Sequence, residues 1–207
     1  MLRSIDIGDY VTNTQEFLGI PGALTDGAIA FSDRAGGNLS RPFYPDGLDG
    51  TPNGPFSKPP GEWSPFSDGL QLDLVYNALI NHVVFVLGGA ADVGPNCTGV
   101  GGPFSFTVSN PIAALANGTQ IFPGSVPIYR DRVLIGGIGV SGDGVDQDDM
   151  IAFLGLDNAA ISLGTINNAP PDMRADTIST KGTRLRYINC PQAPFNDSDA
   201  QDVCNGR

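Results

Sequence analysis

Apolar and polar positions along the chain alternate between two kinds of pattern. Residues 4 to 19 carry Val11, Phe17 and Leu18 at intervals that suit a short helix, with Ser4 or Asp6 available as a cap and Gly19 and Pro21 as a stop. In "ALTDGAIAFSDRAGGNL", Ala28, Ile29 and Phe31 lead into a glycine and asparagine turn at Gly36 to Asn38, which predicts a short strand. "SDGLQLDLVYNALINHVVFVLGG" gives the clearest helical spacing: Ser67 or Asp68 caps, Leu70, Leu74, Leu79 and Val83 recur on one side, and Gly88 and Gly89 end it. Residues 90 to 110 form a glycine-rich loop, and "NPIAALANG" predicts one or two helical turns with Pro111 at the first helical position.

The strongest local pattern lies in "VPIYRDRVLIGGIGVSGDGVDQDDMIAFLG", residues 126 to 155. Val126 to Tyr129 and Val133 to Val140 are extended, apolar and separated by a tight turn at Arg130 and Asp131, which predicts an antiparallel hairpin. Gly136, Gly137 and Gly139 strip side chains from one region of the second strand, so another backbone or a flat ligand can come close. Asp146 is placed as the N-cap of a following helix, with Asp148 and Asp149 in its first turn, where the positive end of the helix dipole favours carboxylates. Met150, Ile151, Phe153 and Leu154 supply its buried face. Helix capping therefore accounts for the aspartates. An EF-hand register fails, because a loop begun at Asp146 has Met150 in its fifth position and one begun at Asp143 has Val145 in its third.

Between Pro42 and Pro65 the pattern breaks down into seven prolines and four glycines, which leaves little room for regular structure. Phe43, Tyr44, Phe56 and Trp63 in the same stretch predict an ordered wrap, with its aromatic rings docked on this chain or on a neighbour. Composition agrees with a loop-rich protein: 28 glycines and 17 prolines in 207 residues, with only 16% charged. The length suits one sizeable core. The formal net charge is −11 and Lys58 and Lys181 are the only lysines, so no basic patch is available for phosphates and nucleic acid is excluded as a partner. The same acidity opposes docking on anionic lipid. Apolar runs such as "HVVFVLGGAA" are too short to span a bilayer, so no membrane insertion is expected.

Cys97, Cys190 and Cys204 form no C-x-x-C pattern, which removes zinc-ribbon and thioredoxin-like readings. Cys190 and Cys204 bracket a polar tail and are either two thiols or a bridge; the bridge implies an oxidising, periplasmic or extracellular location. "MLRSIDIGDY" has no apolar core of a signal peptide, which suggests a chain that starts inside a longer precursor. His82 is the sole histidine. On an apolar helix it is either a core or interface residue or an axial group for a bound tetrapyrrole. Tyr129 is a weaker candidate of the same kind. Ser141 in "GVSGD" lacks the closing glycine of a nucleophile elbow. No acid and base pair or metal set can be assembled from spacing, so binding rather than catalysis is the expectation.

"FPGSVPIYRDRVLIGGIGVSGDGVDQDDMIAFLG" resembles the C-terminal part of the GlcG/HbpS-like haem-binding (haem-degrading domain) family. The family pattern G-G-V-P-I, a turn, V-x-G-A-I-G-V-S-G and E-Q-D is met by Gly124, Val126, Pro127 and Ile128, then by Val133, Ile135 to Gly142, and Asp146, Gln147 and Asp148. The resemblance implies an α+β domain with an antiparallel sheet and flanking helices. It also implies haem or a related tetrapyrrole as cofactor, and oligomers as the usual state. "FSDRAGGNL" echoes the family's early hairpin through Asp33, Gly37 and Asn38, but the helix that normally follows is replaced by the proline and aromatic wrap. The expected organisation is one domain over residues 1–168, with the irregular wrap at 42–66, and a C-terminal extension over 169–207. The hairpin then needs further strands, from a second copy or a second chain. The expected function is a secreted haem-binding module that uses His82, Tyr129, Gly136, Gly137 and Gly139, with His82 as iron ligand. The alternative is a non-catalytic assembly subunit of an extracellular complex that keeps the fold without a ligand.

Overall fold

A computed structural model describes residues 5–48, 50–57, 82–91, 122–142 and 144–207. Helix α1 (Ile5–Leu18) ends where Gly19 takes φ +70°, a conformation that costs glycine nothing, and the Ile20 N–H closes on the Gln15 carbonyl at 3.0 Å. Its inner side holds Tyr10 and Thr14, both buried.

Residues 33–39 form a helix, α2 (Asp33–Leu39), and this corrects the expected strand and hairpin echo there. Glycine is a poor helix former, so propensity alone favours a turn. Two tertiary features outweigh it. Ser32 caps the helix, its hydroxyl accepting from the Ala35 N–H at 3.2 Å and donating to the Tyr187 carbonyl. At Gly36 the Phe56 ring lies 3.8 Å from the place a side chain would occupy, and Leu39 is fully buried beyond it.

The wrap that follows is ordered over residues 41–48 and 50–57 and docks on its own chain. Phe56 N–H bonds to the Leu39 carbonyl at 3.0 Å and Gly54 N–H to the Arg41 carbonyl at 2.8 Å. Tyr44 packs edge-on against Phe17 with centroids 5.0 Å apart, and Phe56 meets Tyr10 in the same way at 6.5 Å. Gly54 has to be glycine, because a side chain there would run into the Leu39 carbonyl oxygen. Trp63, Cys97, the predicted turns at "NPIAALANG" and most of the predicted 68–87 helix lie outside the described residues. His82 to Val86 are helical, and Gly88 at φ +75° follows, in line with the predicted stop.

The hairpin forms as predicted. Strand β1 (Ser125–Arg130) pairs antiparallel with β2 (Val133–Gly139), with Val126 opposite Ile138 and Ile128 opposite Gly136. Asp131 turns the chain at φ +54°, held on both sides by Asn167, which accepts its N–H at 2.7 Å and donates to its carbonyl at 3.0 Å. Helix α3 (Val145–Leu163) then crosses one face of the sheet and ends at Gly164 in the left-handed conformation. A two-residue strand, β3 (Asn167–Asn168), returns beside β1, so the sheet order is β2-β1-β3.

Beyond it, two single turns of 3-10 helix (Pro171–Met173 and Ala175–Thr177) lead into a small hairpin of β4 (Ser179–Thr180) and β5 (Thr183–Arg184). Cys190 and Cys204 are joined in a disulfide. The architecture is α+β. One core cluster gathers Val126, Tyr129, Phe153, Leu156, Met173 and Tyr187 between sheet, α3 and the C-terminal strands. A second gathers Tyr10, Leu39, Tyr44, Phe56 and Leu185 around α1, α2 and the wrap.

Candidate functional site

The chemistry of the hairpin follows from the parity of β2. The Val140 N–H bonds to the Gly124 carbonyl at 2.7 Å. In an antiparallel ladder every second residue does the same, so Ile138 and Gly136 also turn their amides toward β1. Pro127, which has no N–H, falls in the gap opposite Gly137, as that alternation requires. Gly137 and Gly139 therefore point their N–H and C=O groups outward, to the far edge of β2. Among the described residues no strand lies on that edge.

Side chains alternate too. Val126 and Ile138 face α3 and the core. Gly137 and Gly139 face the other way, opposite Pro127 and Ser125. The structure thus divides the three sequence-predicted glycines: Gly137 and Gly139 share a bare outer face, while Gly136 lies on the α3 side. At Gly137 the nearest described atom to an added Cβ is the Val126 carbonyl oxygen at 3.8 Å; at Gly139 it is Ser125 Cβ at 4.0 Å. Every β2 residue except the half-buried Ile138 is exposed, and Val133, Leu134 and Ile135 are apolar.

Tyr129 supports this strand from within. It is fully buried and its hydroxyl donates to the Gly27 carbonyl at 2.6 Å. Burial raises its pKa, and the charge of Asp26 raises it further, so it stays a neutral phenol and a donor. A buried hydroxyl already committed to a carbonyl does not fit an iron ligand. His82 is exposed at the start of its helical residues, with the Phe85 ring 5.8 Å away.

The aspartates meet a partner that local spacing does not reveal. Helix α3 starts at Val145 with Gly144 at the cap, so Asp146 stands in the first turn, one step inside the position expected for it. Arg34 of α2 reaches across, donating to Asp146 Oδ1 at 2.6 Å and, through Nε, to the buried Asp149 Oδ2. Asp149 Oδ2 also accepts from the Asn189 N–H at 2.8 Å. One carboxylate therefore ties α2, α3 and the segment just before the disulfide. Among the described residues no group of three or more His, Cys, Asp or Glu side chains is arranged to hold a metal.

Burial raises the pKa of Asp149, against the lowering pull of Arg34 and the Asn189 N–H. Burial also raises that of Asp33, against a hydrogen bond with Ser125 and with help from the charge of Asp149. A raised folded value means that the folded chain holds these protons more tightly than the unfolded chain does. Their effect on stability is then a loss as pH rises from the ordinary 3.8 through the folded values. Asp172, held below 3.8 by Arg132, acts with the opposite sign and below that window. The thermal midpoint is expected to rise on mild acidification from pH 7 toward that window. Asp149→Asn flattens this slope in a series of melts. A slope unchanged in Asp149→Asn contradicts the assignment.

Fold and site together define an α+β protein whose exposed feature is a side-chain-bare, apolar strand presented by a hairpin and braced by a helix. Residues 88–157, which include that hairpin and the first part of α3, match the family described as haem degrading protein HbpS-like. This is the family that the sequence pattern of residues 122–155 resembles, and it brings a haem-related function at the level of the family. No curated protein and no solved structure gives a significant match to the chain.

Proposed function

We propose that the protein is a haem or related tetrapyrrole binding module of the HbpS-like type. The observation that carries this reading is the outer face of β2, where Gly137 and Gly139 leave flat backbone open beside Pro127 and Ser125, inside the matched segment. A planar macrocycle needs a flat apolar surface and an axial donor. The glycine face offers the first, with exposed Ile135 at its border, and His82 is the candidate for the second. Tyr129 holds β1 in register beneath the face. When bound, the haem supplies redox and oxygen chemistry, while this chain supplies seating and orientation. The disulfide supports an oxidising, periplasmic or extracellular setting. Among the described residues no helix is long and apolar enough to cross a membrane.

Haemin titration followed by absorption spectroscopy tests the reading. A saturable, shifted Soret band is expected, with affinity reduced at least tenfold by His82→Ala or Gly137→Val. Bleaching of that band on adding a reductant under air separates degradation from simple binding. The exposed outer edge of β2 favours a second reading, an assembly subunit that has kept the fold without the ligand. A protein that leaves the haemin spectrum unchanged supports that second reading.

A further inference from the structure

We infer that β2 is a self-complementary edge, and that two copies of this chain pair through it antiparallel about a two-fold axis at Ile138. Natural sheet edges are guarded by charges, prolines or short length. This one has seven residues, Val133 to Gly139, and none of them is charged or a proline. The chain as a whole carries a net charge of −11, which opposes self-association across most of its surface. Along β2 that opposition vanishes, because no like charges are brought face to face.

The register is set by the outward amides. Two antiparallel strands bond only where both turn N–H and C=O toward each other. Gly137 and Gly139 are the outward residues next to Ile138, and pairing Gly137 with Gly139 of the second copy satisfies both at once, twice about the axis. Ile138 then stands opposite itself at a non-bonded position, with the two Cα atoms about 4.5 Å apart. Sizes alternate well in this register. Gly136 receives Val140 of the second copy, large against bare.

The pairing has one consequence for the ligand, and that consequence alone rests on the haem reading. Gly137 and Gly139 of one copy come to lie beside Gly139 and Gly137 of the other on the same outer face, with strands about 4.8 Å apart. A bare platform two strands wide is complete only in the dimer.

Cysteine cross-linking in the absence of haem tests the pairing separately from the ligand. In a Cys97→Ser background, Ile138→Cys is oxidised with oxidised glutathione, and Val133→Cys serves as the control. The two Ile138 positions fall inside the roughly 4.4–6.8 Å window for a disulfide, whereas Val133 is paired far from its own copy. A reducible dimer is expected for Ile138→Cys and little for Val133→Cys. Light scattering on the unmodified chain is expected to give twice 21.6 kDa at tens of micromolar. Gly139→Asp, which places charge on the edge without touching the core, is expected to weaken the dimer at least tenfold with an unchanged circular dichroism spectrum. A monomer at these concentrations, a stable complex with a different chain at this edge, or equal cross-linking at both positions overturns the proposal. A dimer that binds no haemin leaves the pairing standing and removes the platform.

Discussion

Replacing Phe153 by alanine lowers the free energy of unfolding by about 3–5 kcal/mol, the range for removing a large aromatic side chain from a packed core. Phe153 lies near the middle of α3, almost completely buried against β1, Met173 and Tyr187. Its ring also carries the Arg174 guanidinium 5.1 Å from the centroid, and the same cation lies 5.4 Å from the Tyr187 ring. The cost is therefore a cavity together with a lost face for a cation. For a chain of this size the thermal midpoint falls by roughly 2–4 °C per kcal/mol, so a drop of about 6–20 °C is expected. Phe153→Leu, which refills most of the volume, should recover more than half of it. A loss below about 1 kcal/mol for the alanine variant, measured by urea denaturation, contradicts the packing of α3 on the sheet.

The second large effect distinguishes charge from hydrogen bonding. Asp149→Ala removes the acceptor for two donors, Arg34 Nε and the Asn189 N–H, in a site from which water is excluded. Each orphaned donor costs about 1–3 kcal/mol, so a total of about 3–4 kcal/mol is expected. Asp149→Asn keeps an oxygen acceptor and discards the ionisation that burial makes unfavourable. It is expected to stay within about 1 kcal/mol of the unmodified protein at pH 7. Denaturant unfolding of the two variants side by side checks this. If asparagine is as damaging as alanine, the carboxylate charge itself holds the three segments together and the direction of the pKa shift is reversed.

The difference between what the sequence reveals and what it conceals is one of distance along the chain. The hairpin and α3 are legible because each is specified locally: period-two alternation, a two-residue turn, then period 3.6. Their order, and hence the α+β class, follows from residues 125–163 alone. Helix α2 is not legible, since Gly36, Gly37 and Asn38 favour a turn and the forces that overrule them come from Phe56 and the Tyr187 carbonyl, far away in sequence. The Arg34 bridge spans 115 positions to Asp149, and nothing local in "FSDRAGG" marks it. The same holds for Asn189.

Among the candidate site residues, Gly137 and Gly139 are readable as a pair once β2 is accepted as a strand, because equal parity means a common face. Separating Gly136 from them follows from the same rule. The commitment of Tyr129 to Gly27 is a tertiary contact that only the folded chain displays. Asp146 missed the cap position by two residues because Gly144, with no side chain to bond, takes it.

Absorption titration of the purified full-length chain with haemin is the most direct measurement of the central claim, that the bare outer face of β2 seats a flat macrocycle. A saturable shift of the Soret band at one haemin per completed platform, lost when Gly137 is replaced by valine, is the predicted result. A haemin spectrum that is the same with and without the protein, or binding indifferent to Gly137→Val, contradicts it.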